Sequence, residues 1–195
     1  MRRARVGILI SGRGSNMSAL IAAAKREDYP AEIVSVIANR PDAAGVGIAA
    51  GEGIPSQVVD HKAFDSKADF EAALAAALDA HGVEIIALAG FMRVLSADFI
   101  ARYPGRILNI HPSLLPAFKG LDTHERALAA GVKEHGCSVH IVSAELDDGP
   151  VLMQATVPVL EGDTPGKLAA RVLEAEHRIY PQALADFIKA LPRSL

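Results

Sequence analysis

The stretch Arg5–Asn16, RVGILISGRGSN, decides how the rest of the chain is read. Arg5–Ile10 is a short apolar run rich in branched residues, as expected of a strand buried on both faces. It passes at once into Ser11–Asn16, two glycines among small polar residues, after which Met17, Leu20, Ile21 and Ala24 recur at helical spacing. Strand, glycine loop and helix start, in that order, open a βαβ unit. Glycine lets the backbone approach an anion, and the unpaired N–H groups and dipole of a new helix favour negative charge. Ser15 and Asn16 are expected to cap that helix, with side chains that can also donate to phosphate oxygens. Ser18–Ala19 stand where a dinucleotide fingerprint has its third glycine, and no Lys-Ser/Thr of a P-loop follows. A monophosphate is therefore the expected ligand rather than a dinucleotide. The alternative is a tight βα turn with an ordinary cap.

Outward from this unit, Ile33–Asn39, Ser56–Asp60 and Val83–Ala89 read as further buried strands. Between them lie a small-residue helix over Ala43–Gly51 and an alanine-rich helix over Ser66–Ala80, capped by Ser66 and ended by His81–Gly82. This alternation predicts a parallel sheet with right-handed crossovers. The pattern then changes. Gly136–Val142 alternates, Ala144–Pro150 is a turn, and Val151–Val159 is another strand, so a hairpin is expected to be added to the sheet. The last helix opens with Thr164 as cap and Pro165 at its first position. Its apolar stripe is Leu168, Val172, Ala175 and Ile179, and Pro181 is expected to interrupt it. The fold class is thus α/β: one domain over residues 1–195, a mostly parallel twisted sheet, helices on both faces and a C-terminal β-hairpin.

The composition narrows the function. A net charge of −3 argues against a nucleic-acid binder that works by bulk positive charge. The basic, briefly apolar N-terminus ends in glycines rather than at a cleavage site, and no apolar run approaches the ~20 residues of a membrane span. The single cysteine, Cys137, cannot form an internal disulfide, which suits a reducing cytoplasm. The seven histidines fall in no metal-ligand spacing, so no metal is expected.

The chemistry is expected in Arg106–Gly120, RILNIHPSLLPAFKG. Its strand should stop at Pro112, which has no N–H for a ladder. Asn109 and His111 then leave the strand end on one face, where an amide donor and an imidazole can polarise a carbonyl and move a proton. A histidine capping a proline-rich turn is the plainer alternative. Gly90–Leu95, GFMRVL, is unusually apolar for a loop. Its side chains either cap the core or wall a slot for a flat heterocycle read by backbone groups. Asp147, in a D-D-G-P turn, is by default a turn former, and Glu176 beside the helix stripe is by default a surface carboxylate.

SGRGSN, AGFMRVLS, LNIHPSLLP, HGCSVHIV with ELDDGP, and RVLEAEH occur in this order from about Val6 to about Pro181. Together they resemble the glycinamide ribonucleotide transformylases, folate-dependent formyltransferases of purine synthesis with a Rossmann-like formyltransferase fold. The resemblance implies that Asn109, His111 and Asp147 are catalytic, and that 10-formyltetrahydrofolate donates a formyl group to the amine of glycinamide ribonucleotide. It implies that Gly14, Ser15 and Asn16 hold the substrate phosphate and that Glu176 binds the ribose hydroxyls. It assigns the folate to Lys67, to Met92, Arg93, Val94 and Leu95, to Asn109, and to Ser143, Ala144, Glu145, Leu146 and Asp147. Lys67 stands where the family often has arginine, so the planar fork is lost while the charge is kept. Arg13 is often asparagine in the family, and Ala144 replaces a usual acidic residue. The implied partners are small molecules, with no nucleic acid and no membrane, acting on a monomer or homodimer.

Three other readings compete. A methionyl-tRNA formyltransferase carries a further C-terminal domain, and a 10-formyltetrahydrofolate hydrolase carries an N-terminal regulatory one. This chain is expected to have neither. A non-catalytic nucleotide-phosphate-binding module would use the first loop alone and leave Asn109, His111 and Asp147 far apart.

Overall fold

The apolar runs form seven strands: β1 (Ala4–Ile10), β2 (Ala31–Ala38), β3 (Ser56–Val58), β4 (Ile85–Leu88), β5 (Ile107–His111), β6 (Glu134–Ile141) and β7 (Val151–Pro158). The helices are α1 (Ser15–Ala24), α2 (Gly45–Gly51), α3 (Lys67–Ala80), α4 (Ala97–Arg102), α5 (Thr123–Ala129) and α6 (Pro165–Ala190). The structure is a computed structural model and describes residues 2–192; the remaining ends of the expected domain, residues 1 and 193–195, lie outside the described residues. One sheet runs in the order β3-β2-β1-β4-β5-β6-β7. β1 pairs in parallel with β2 and β4, β2 with β3, and β4 with β5. β6 is antiparallel to β5 and β7 to β6, so the expected hairpin extends the sheet.

Strand alternation sorts the core into two layers. Val6, Ile8 and Ile10 of β1 pack with Met17 and Leu20 of α1 and with Leu168, Val172 and Tyr180 of α6. Leu9 points the other way, joining Ile86 and Leu88 of β4 against Phe70, Leu74 and Leu78 of α3 and Phe99 of α4. Helices therefore cover both faces, as a parallel sheet requires. After β3 the chain returns to the far side of β1, so the ends of β1 and β4 flank a topological switch point. Ligands bind at that crevice in open α/β sheets. No helix among the described residues is long and apolar enough to cross a membrane.

Local capping rules hold at Ser66, Ser96 and Thr164, whose side chains accept from the N–H groups of Asp69, Phe99 and Lys167. They fail at α1. Gly14 holds the cap position with φ 75°, and no side chain caps the helix. Ser15 and Asn16 are instead its first helical residues, because the chain enters the helix through a left-handed turn that glycine adopts without steric cost. Pro181 also departs from expectation: α6 runs through it unbroken. The proline removes one intrahelical bond, while the helix stays clamped on both sides. The Tyr29 hydroxyl donates to the Pro181 carbonyl at 2.8 Å, and the buried Tyr180 hydroxyl lies 2.9 Å from the Leu88 carbonyl oxygen.

Candidate active site

β5 ends at His111, with Pro112 next in the chain. Its antiparallel register with β6 sets Asn109 opposite His140 and His111 opposite Ser138. The consequence is a hydrogen bond of 3.1 Å from Asn109 Nδ2 to His140 Nε2. His140 is 2 % exposed, and its Nδ1 lies 3.1 Å from the Ile141 carbonyl oxygen. Burial pushes its pKa below the ordinary histidine range. A neutral ring that donates from Nδ1 and accepts at Nε2 satisfies both contacts and fixes the Asn109 amide. The second N–H of that amide is left for another oxygen.

Asp147 completes the cluster from the loop between β6 and β7. Its backbone is left-handed, with φ 50°, and its side chain is turned inward and buried. Oδ2 accepts the Gly120 N–H at 2.9 Å and lies 3.4 Å from His111 Nδ1. Oδ1 lies 3.6 Å from His140 Nε2. The other His111 nitrogen, Nε2, lies 2.9 Å from the Phe118 carbonyl oxygen. The imidazole is 7 % exposed, yet it lines the cavity described below. Both ring nitrogens face oxygen acceptors, so either can carry a proton without reorienting the ring.

The segment after β5 is pinned in place. The Leu115–Pro116 peptide is cis, Thr123 Oγ1 donates to the Pro112 carbonyl at 2.7 Å, and Arg126 donates to the carbonyls of Lys119 and Leu121. These contacts hold Phe118 and Gly120 where His111 and Asp147 use them.

The cluster lies in a cavity of about 720 Å³, within the usual size of small-molecule sites. Its walls are Phe91–Leu95 after β4, Asn109–Pro112, Gly120–Glu125, Ser143–Asp147, and Asn16 with Glu176. Met92, Val94, Leu121 and Leu146 are exposed, which makes the mouth apolar.

Glu176 departs from its default reading as a surface group. It is buried on α6, accepts from Asn16 Nδ2 at 2.7 Å, and has its pKa raised by burial, a shift partly offset by the Asn16 hydrogen bond. Asn16 Oδ1 is buried without a protein partner. Asn16 and Glu176 thus line the cavity together, beside the uncapped N-terminus of α1.

The trio Asn109, His111 and Asp147 converges, so the module reading that required them to be far apart fails on geometry. Asn16 and Glu176 line the cavity with them, as do Met92, Arg93, Val94, Leu95, Ser143, Ala144, Glu145 and Leu146. Three expected site residues do not. Gly14 and Ser15 sit beside the cavity rather than in its wall, since the left-handed turn at Gly14 delivers Asn16 to it. Lys67 is the exposed first residue of α3 and is not among the residues that line the cavity. His140, in the cavity wall, has no role that the sequence alone assigns. For His140 a signal existed, since the alternation of β6 sets it on the face shared by Ser138 and Val142.

The formyl transferase family matches residues 4–184. A phosphoribosylglycinamide formyltransferase of Escherichia coli is 46 % identical over 92 % of this chain and 85 % of its own length. The solved structure of a phosphoribosylglycinamide formyltransferase from Brucella melitensis is 56 % identical, with a TM-score of 0.93 and full coverage of both chains. The trifunctional purine biosynthetic protein of Gallus gallus is 48 % identical over 93 % of this chain, which spans 18 % of that protein's length. The family match over most of the chain, the identity to these relatives and the shared fold agree, and the chain belongs to the formyl transferase family.

Proposed function

We propose that this chain transfers the formyl group of 10-formyltetrahydrofolate to the amine of glycinamide ribonucleotide, giving formylglycinamide ribonucleotide and tetrahydrofolate in purine biosynthesis. The observation that carries the reading is the meeting of Asn109, His111 and Asp147 at one wall of a cavity whose opposite ends suit different ligands. One end offers Asn16 and Glu176 beside the start of α1; the other is apolar and loop-lined.

In this reading the uncapped start of α1 faces the phosphate, and Glu176 accepts from the ribose hydroxyls. Met92–Leu95 and Ser143–Asp147 enclose the pterin. The substrate amine attacks the formyl carbon, forming a new C–N bond, and the carbonyl oxygen becomes negative. Asn109 uses its free N–H on that oxygen, a contribution of about 2.7–4 kcal/mol for one such donor. His111 moves the proton from the attacking nitrogen to the leaving nitrogen of the folate as the old C–N bond breaks. Asp147, 3.4 Å from His111 Nδ1, orients the imidazole. An α-amine that titrates near ~7.7–8.0 keeps a substantial neutral fraction around neutral pH, so no strong base is needed. The cavity wall lends no support to a folate contact by Lys67. Cytoplasmic residence and a monomer or homodimer belong to the same proposal, the former supported by a lone, buried Cys137.

The test is purified chain with both substrates, followed by absorbance and by mass analysis of the nucleotide. The expected product is heavier by one formyl group. His111→Ala lowers kcat by about 10²–10⁴ with an unchanged circular dichroism spectrum. Release of formate without the acceptor points instead to a hydrolase.

A further inference from the structure

The wall segment Gly90–Ser96 is fastened at two points outside the catalytic trio. Ser11, the first residue of the glycine loop after β1, is 5 % exposed. Its N–H donates to the Gly90 carbonyl at 3.1 Å, and its Oγ accepts the Met92 N–H at 2.8 Å. Its own proton goes to Asn39 Oδ1 at 2.5 Å. Asn39 is itself buried at the end of β2, with its carbonyl oxygen 2.8 Å from His61 Nδ1. The second anchor is Glu71 of α3, also buried. Its Oε1 accepts the Ser96 N–H at 2.7 Å, and its other oxygen accepts the Ser96 hydroxyl.

Between the anchors, the side chains of Met92, Arg93 and Val94 are exposed at the cavity mouth and contribute little packing. Such a segment has few buried contacts to keep its backbone in one conformation. The two buried acceptors supply that order. They act on main-chain N–H groups at positions 92 and 96, bracketing residues that line the cavity. Ser11 also joins this wall to the loop on the nucleotide side.

We propose that Ser11 and Glu71 are positioning residues for the formyl donor, presetting the Met92–Leu95 backbone against which its flat heterocycle lies. The proposal rests on the formyl-transfer reading and deepens it. Neither residue touches Asn109, His111 or Asp147, so donor binding rather than chemistry should respond to their loss.

The experiment is initial-rate kinetics on the full chain with both substrates varied, comparing Ser11→Ala, Ser11→Thr and Glu71→Gln with the parent. Ser11→Ala is expected to raise KM for 10-formyltetrahydrofolate about tenfold, the equivalent of ~1.4 kcal/mol and an ordinary loss for one hydrogen bond. KM for the nucleotide stays within about twofold and kcat within about threefold, the signature of lost binding rather than lost chemistry. Ser11→Thr keeps the hydroxyl and restores most of the donor KM. Glu71→Gln retains one acceptor and shows a smaller shift of the same kind, which keeps the proposal testable if Ser11→Ala does not fold. Equal changes in both KM values overturn the proposal, as does a lower Tm with unchanged kinetics. If the parent shows no transfer, the functional reading fails. Calorimetric binding of tetrahydrofolate then decides the positioning claim, with weaker binding by Ser11→Ala supporting it and equal binding overturning it.

Discussion

The side-chain amide of Asn16 donates to the carboxylate of Glu176 at 2.7 Å, joining the first turn of α1 to α6 across 160 positions of sequence. Burial raises the Glu176 pKa, so above it the fold holds a charge that water would solvate better. The folded pKa lies above the unfolded one of ~4.3, so this cost is absent in acid and grows as pH rises through the folded value. Glu176→Gln is expected to raise Tm by about 2–4 °C near pH 8, the size of shift given by ~1 kcal/mol in a domain of this length. The gain shrinks toward pH 4, and KM for the nucleotide rises. Calorimetry across that range, with parallel kinetics, checks both signs.

Asp147 faces two imidazoles, at 3.4 Å from His111 and 3.6 Å from His140. Replacement by Asn removes the charge that raises the His140 pKa against its burial, while keeping an oxygen for the Gly120 N–H. Asp147→Asn is expected to lower kcat and, by lowering the His140 pKa further, to move the limb of the pH–rate profile that follows His140 toward lower pH. A profile of unchanged shape would reduce Asp147 to a turn residue.

His135 lies behind the site, with its Nε2 3.2 Å from His124 Nδ1. Burial first, and the neighbouring His124 second, push its pKa down to about 4. The unfolded chain binds this proton near ~6.5, so stability is complete above that pH and is lost as pH falls toward about 4. Burial moves His124, His140 and His177 the same way. Tm is expected to drop between about pH 7 and about pH 5, and His135→Gln to flatten part of that drop. Thermal melts of parent and variant over this range provide the check.

Gly149 ends the turn that carries Asp147, and a Cβ there would lie 1.7 Å from the Ile141 carbonyl oxygen. The obstacle is backbone, so the loop must move. Gly149→Ala is expected to cost about 10²-fold in kcat/KM, as displacement of a positioned group near 1 Å does. Kinetics set beside Tm will show whether activity falls further than stability.

Local chemistry was readable in advance. Serine and threonine caps, the stop at Pro112 and the hairpin all depend on neighbours within a few residues. The reading failed where a local rule met a distant constraint. Gly14 took the cap position from Ser15 and Asn16, and α6 passed through Pro181 because Tyr29 and Tyr180 clamp its flank. Glu176 read as a surface group because nothing nearby in sequence announces Asn16. Asp147 is both a turn former, at φ 50°, and a buried carboxylate, and only the first role is local.

By itself the sequence determined the α/β alternation, the order of the motifs and the residue types available for chemistry, since periodicity and turn propensity act over a few positions. The tertiary structure decided which of those residues meet. Pairing β5 with β6 set Asn109 against His140, the loop after β6 brought Asp147 to His111, and the packing of α6 brought Glu176 to Asn16. Those contacts arise from strand register and helix packing between segments tens of residues apart or more, where short-range propensity carries no information.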